Sequence, residues 1–185
     1  MTEVPYATQW RQAAQLPVGL PQVAKRLARN AVISLRAATR RGIDERFLRC
    51  LFCHYVFDDQ IRSFERAIVA LKRLGTFVST DDCVAMLNGE RPIDGRYLHL
   101  SLDDGFRNNL TNAAPLLRAH GIPAIFFVPS AVIGANRAET QAYCARIQYP
   151  ATIEMMGWDD LAALREQGFE IGSHTRTHAR FSDVS

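Results

Sequence analysis

The sequence predicts an α/β protein built on parallel strands, and three observations carry that reading. Segments of strand and helix character alternate five times between Arg49 and the end of the sequence, the pattern that joins parallel strands through right-handed crossovers. The run 124–128, Ala-Ile-Phe-Phe-Val, is apolar without alternation, as suits a strand covered on both faces. Two clusters of ionisable side chains each close a strand-like run, and a parallel architecture collects its polar groups at strand C-termini. With 185 residues, 48% hydrophobic and 22% charged, the chain can bury one ordinary core.

A strand over 49–57 opens this domain. Helical periodicity follows over 60–74, with Ile61, Phe64, Ile68 and Leu71 on one stripe and Gly75 as the stop. A short strand over 76–79 leads into a helix after Thr80, where Asp81 and Asp82 complement the positive end of the helix dipole and Asn88-Gly89 closes it. Leu98, Leu100 and Leu102 then alternate with His99, Ser101 and Asp103, the period of two that a strand requires. A helix over 110–120 ends at Gly121. The strand 124–128, an irregular stretch over 129–157, a helix over 158–167 and a strand over 169–171 complete the order. The segment 133–156 falls on the face where strand ends gather, and reads as groove lining or as a surface loop.

The first ionisable cluster is Asp103-Asp104-Gly105. Asp and Gly are common turn formers, so the bland reading is a turn. Adjacent residues at a strand end also point in different directions, which lets one carboxylate hold a cation while its neighbour takes a proton. The second cluster lies seventy residues on, in Ser173-His174-Thr175-Arg176-Thr177-His178. Imidazoles are the commonest neutral metal ligands, and a spacing of four lets both reach one ion from a helical turn or a compact loop. A carboxylate pair and a histidine pair at two strand ends can converge.

The stretches Ser-Leu-Asp-Asp-Gly-Phe (101–106) and Ser-His-Thr-Arg-Thr-His (173–178) resemble the first two signature motifs of the NodB-type polysaccharide deacetylases, carbohydrate esterase family four. The stretches 112–128 and 158–178 are similar to that family's connecting elements. The resemblance implies the N-terminal portion of a distorted (β/α) barrel, with parallel strands behind a helical N-terminal arm. It divides the chain into a basic arm, 1–48, and an incomplete deacetylase domain, 49–185. It also implies a metal-dependent hydrolase that removes N-acetyl groups from the amino sugars of a polysaccharide or oligosaccharide. Asp104, His174 and His178 are then the metal ligands and Asp103 the general base. Zinc suits this donor set, with cobalt or another divalent ion as the alternative. The family's later motifs, which supply an arginine partner for the base, an apolar groove and a histidine general acid, have no match before Ser185. The sequence is therefore expected to be part of a longer domain. Five strands leave one edge of a barrel open.

The remaining features read more plainly. Residues 1–49 hold nine Lys/Arg against three Asp/Glu, a net +6, and the rest carries 13 against 16, a net −3. Over 20–41, Lys25, Arg29, Arg36 and Arg40 form one helical stripe and Val23, Leu27, Ala31 and Leu35 another. This reads as a helix packed on the domain with a solvated basic face. A peripheral membrane contact stands as the alternative, and no nucleic-acid module accompanies the arginines. Cys50 and Cys53 lie three apart in a strand, hence on opposite faces, where they cannot pair. With Cys83 and Cys144 they read as buried free thiols in a reducing compartment. No apolar run approaches the about 20 residues that cross a bilayer, and the first thirty residues lack a signal-peptide apolar core. The residues so predict a cytoplasmic protein, while the resemblance points to the cell envelope. His54, His99 and His120 need no catalytic role, and Arg107 can orient substrate or pair with Asp103. Two further readings accompany the deacetylase: a metal- and carbohydrate-binding fragment without turnover, and an interaction protein acting through the basic arm.

Overall fold

The computed structural model describes residues 5–13, 28–29, 31–32, 46–149 and 151–179. A short helix, α1 (Trp10–Ala13), precedes a domain in which strands and helices follow in the order β1 (Phe47–Cys53), α2 (Ile61–Leu74), β2 (Thr76–Phe77), α3 (Thr80–Leu87), β3 (Arg96–Leu102), α4 (Ala114–Ala119), β4 (Ile125–Val128), α5 (Arg137–Arg146), α6 (Trp158–Glu166) and β5 (Glu170–Ser173). Every strand pair is parallel. Strand β3 is the centre of the sheet. It pairs with β1 over seven residues, from Phe47↔Arg96 to Cys53↔Leu102. Its other edge is shared between β2, which meets Tyr97 and Leu98, and β4, which meets Ser101 and Leu102. Strand β5 pairs with β4 from Ile125↔Glu170 to Val128↔Ser173, and among the described residues it has no second neighbour. The α/β class, the parallel strands and the partial barrel expected from the sequence are all present.

The helix-side face of the sheet holds the main core. Leu100, Leu102, Phe126 and Val128 meet Ile68 of α2, Leu117 of α4 and Leu161 and Leu164 of α6, and all are buried. Burial of each such side chain is worth about 1.5–3 kcal/mol. The periodicity seen in 60–74 is thus the stripe that faces this core. The opposite face carries a smaller cluster, Val78, Cys83 and Met86 with Leu48 and Tyr97, which seats α3 against β1 and β3. Helix α3 begins as its sequence suggests: the Ser79 hydroxyl caps it by accepting from the Asp82 N–H at 3.1 Å, and Asp81 and Asp82 occupy the first turn.

Strand β1 runs Phe47–Cys53 and not 49–57, so His54 to Phe57 lie beyond it, and two further segments differ from the sequence reading. The helix expected over 110–120 starts as a wide π-type turn, Asn109–Ala113, and becomes α-helical only at Ala114. The turn is held by side chains: Asn109 and Asn112 donate to the His54 and Val56 carbonyls at 2.9 and 2.8 Å. The stretch 129–157, read as irregular, contains α5. Its apolar residues are too few to show a stripe, but Asn136 and Glu139 form a reciprocal capping box.

The start of the chain packs on this domain. Ala7, Trp10 and Ala13 join Phe57, Phe106, Tyr143, Ile153 and Met155 in a second core cluster, and the Ala7 N–H donates to Thr152 O at 2.9 Å. The arm helix read over 20–41 lies outside the described residues except for Ala28, Arg29, Ala31 and Val32, which are helical and exposed. Among the described residues no helix is long and apolar enough to cross a membrane.

Candidate active site

Strand β3 carries its chain into the site one residue beyond its last pair, where the Asp103 N–H donates to Cys53 O at 2.9 Å. The backbone then turns through two consecutive positive φ angles, 71° at Asp104 and 72° at Gly105. Asp-Gly tolerates that combination better than most residue pairs. A Cβ at Gly105 would also stand 2.7 Å from Val128 Cγ1, so the close approach of β4 demands glycine. The outgoing chain is fixed by 154–156: the Arg107 N–H donates to Glu154 O at 2.8 Å and the Met156 N–H to Gly105 O at 2.9 Å. Asp-Asp-Gly is therefore a turn, and the turn buries Asp104 to 1% exposure.

The histidines arrive from β5. The His174 N–H donates to Val128 O at 3.0 Å, and the next turn is strapped to the end of β4, with Ser130 and Ala131 N–H groups donating to Thr175 O and Arg176 O at 3.2 and 2.9 Å. Thr175 and His178 adopt positive φ of 63° and 56°. This compact loop, and not a helix, points both imidazoles the same way, with ring centroids 4.8 Å apart.

The two clusters meet. Oδ1 of Asp104 lies 3.3 Å from His174 Nε2 and 3.1 Å from His178 Nε2. The three ligand-bearing atoms fall within 4.8 Å of one another, a donor set able to hold a divalent cation. Oδ1 is buried and has no hydrogen-bond partner, while Oδ2 accepts from the Tyr149 hydroxyl at 2.6 Å. A buried carboxylate oxygen facing two imidazole nitrogens at this range is an arrangement that one shared cation fits. Asp103, on the neighbouring residue, also keeps a buried Oδ1 without a hydrogen-bond partner.

Aromatic side chains wall the site. Tyr149 stands edge-on to Phe106 at 5.1 Å and Tyr55 at 5.7 Å, and Tyr143 edge-on to His178 at 6.4 Å. Burial, and then the bond to Asp104, push the Tyr149 phenol far above its usual range, so it remains a donor at any working pH. Burial and the Asp104 charge raise Tyr143 likewise. The sequence reading missed both tyrosines because it left 129–157 without a helix. The Asn136–Glu139 capping box was the available signal for α5. Nothing local signals that Tyr149 turns its hydroxyl to Asp104.

Other polar residues lie elsewhere. Arg107 pairs with Glu154 at 3.1 Å and Asp160 at 3.2 Å, neither of which is Asp103. His120 caps α4 and sits 3.3 Å from Glu65. His54 follows β1, and His99 lies buried within β3. All four cysteines are free, but Cys50 is exposed and Cys53 half-buried, because β1 lies at the edge of the sheet among the described residues.

A family model described as polysaccharide deacetylase matches residues 90–185. Solved structures similar in fold include IcaB from Ammonifex degensii, at 22% identity and TM-score 0.60 over 71% of this chain and 54% of that one. A de-N-acetylase from Aggregatibacter actinomycetemcomitans matches at 21% identity and TM-score 0.54, over 70% and 55%. The Streptococcus pyogenes deacetylase PplD, in complex with acetate, matches at 16% and 0.53, over 75% and 59%. The chain thus spans between about half and three fifths of the structures it resembles. No curated protein sequence matches it.

Proposed function

The chain belongs to the polysaccharide deacetylase family, and from that premise we propose that it is a metal-dependent hydrolase acting on the N-acetyl groups of an amino-sugar polymer or oligomer. The observation that carries the proposal is the convergence of Asp104, His174 and His178 on one point, with Asp103 next to Asp104 in sequence and its Oδ1 buried without a hydrogen-bond partner. In this reading Asp104 and the two histidines hold the ion, zinc by the chemistry of the donors. When bound there, a divalent ion polarises an amide carbonyl and makes a water molecule more acidic. Asp103 takes the proton of the attacking water, a role that suits a carboxylate not used up as a ligand. Tyr149 holds Asp104 from behind through its second oxygen, so that Oδ1 keeps its direction. Tyr55 and Tyr149, both half-buried, offer ring faces and edges of the kind that sugar rings pack on. Residues 1–48 are then a basic arm and 49–185 the deacetylase portion.

Acetate release from N-acetylglucosamine oligomers, with zinc or cobalt supplied, tests this reading. In a chain extended to the length of its structural neighbours, the expected result is metal-dependent release that falls by ~10²-fold or more in Asp103→Asn. Sugar binding without acetate release, in a chain extended to the length of its structural neighbours, would favour the non-catalytic reading instead.

A further inference from the structure

A second group of metal-type donors lies inside the sheet, away from Asp104. Cys50 of β1 and His99 of β3 are direct partners in the parallel register, so their side chains leave the same face side by side. Cys83, on α3, closes the group from above: its Sγ is 3.8 Å from Cys50 Sγ, and the ligand atoms of all three residues lie within 4.8 Å of one another. His99 and Cys83 are buried, at 8% and 3% exposure, and Cys50 is exposed. By strand rise His99 lies about 10 Å back from the end of β3 at Leu102, and Asp104 lies beyond that end, so the group is not an extension of that site.

We propose that Cys50, Cys83 and His99 form a second, thiolate-rich metal site that takes zinc and ties α3 to the β1–β3 pair. Two sulfurs bound to a tetrahedral zinc at about 2.3 Å stand about 3.8 Å apart, which is the separation found here between two thiols that are not bonded. Two thiolates with one imidazole are donors that zinc accepts, and three protein ligands leave a fourth position for water. The imidazole also has an outer partner of the kind that fixes a ligand's tautomer, since His99 Nε2 lies 3.1 Å from the Thr80 hydroxyl. The backbone N–H of that same Thr80 donates to Glu170 Oε1 at 3.1 Å. The start of α3 is thus fastened to β5, and the site it helps to build joins three strands and a helix. On loading, each thiol gives up its proton to solvent as its sulfur binds the ion.

Cobalt titration of the reduced protein separates this site from the first, because only thiolate ligands give an intense near-ultraviolet charge-transfer band. The wild-type chain and Asp104→Asn are expected to reach the same band, saturating at one cobalt in Asp104→Asn and at up to two in the wild type, where the first site also takes the ion, and displaced by zinc in both. Cys50→Ser changes an exposed residue, so the fold is expected to survive, as circular dichroism would record. It should lose about half the band and bind cobalt at least ~10-fold more weakly there. Cys83→Ser, at the buried sulfur, should do the same. Absence of the band in reduced wild-type protein, or a band unchanged by Cys50→Ser, would overturn the proposal. So would its loss in Asp104→Asn with Cys50 and Cys83 intact.

Discussion

Asp104 owes its position to its own backbone as much as to its carboxyl. A positive φ turns the residue out of β3 and into the protein, and Tyr149 then holds one oxygen while the other faces the histidines. Removing the phenol hydroxyl in Tyr149→Phe leaves Oδ2 buried without its donor, a loss typically worth about 1–3 kcal/mol. That substitution should weaken zinc binding at this site by about 10-fold, the outer-partner range, with the fold retained. Isothermal titration would measure it, and unchanged affinity would remove Tyr149 from the site. At this scale the convergence of Asp104, His174 and His178 was legible in the sequence, because each follows a strand-like run and strand polarity brings such ends to one face. The sequence was not legible for Tyr149, whose partner is 45 residues away, nor for Arg107, whose two carboxylate partners come from around the start of α6.

Among the elements, β4 and β5 set the spacing of the site. Gly172 lies in β5 opposite Phe127, where a Cβ would meet the phenyl ring at 2.5 Å. Gly172→Ala must therefore displace the ring or the strand that carries His174 two residues later. A loss of about 1–3 kcal/mol, the usual cost of overpacking, is expected in urea unfolding, with weaker metal binding beside it. Leu164→Ala in α6 tests the helix-side core in isolation. Its side chain is fully buried, and truncation should cost about 2–5 kcal/mol while leaving the site's metal affinity unchanged. The long amphipathic helix α2 was readable from its apolar stripe. Helix α5 was not, since most of its fixing comes from one capping box and from Tyr143 and Cys144 packing under a loop. Nor did a 3.6-residue period anticipate the π-type turn that two asparagines hold open before α4.

For the whole molecule, the sheet decides behaviour. Among the described residues β1 and β5 are paired on one side only, and Phe52 of β1 is 69% exposed. Unpaired parallel edges with apolar side chains promote association. The 185-residue chain is expected to self-associate at micromolar concentration in light scattering, and a monodisperse monomer would contradict this. The class of the fold was legible because alternating strands and helices leave few parallel arrangements. The strand order was not: β1 lies beside β3, and β2 and β4 divide the other edge, choices made by long-range packing that no local pattern records.

The central claim is that Asp104 is a metal ligand and Asp103 a base beside it. Zinc affinity of Asp103→Asn and Asp104→Asn, measured side by side in a Cys50→Ser, Cys83→Ser background that removes the thiolate group, tests it directly. Binding is expected within a few-fold of the parent for Asp103→Asn, with a loss of ~10²-fold or more for Asp104→Asn. Equal retention in both, or loss confined to Asp103→Asn, would contradict it.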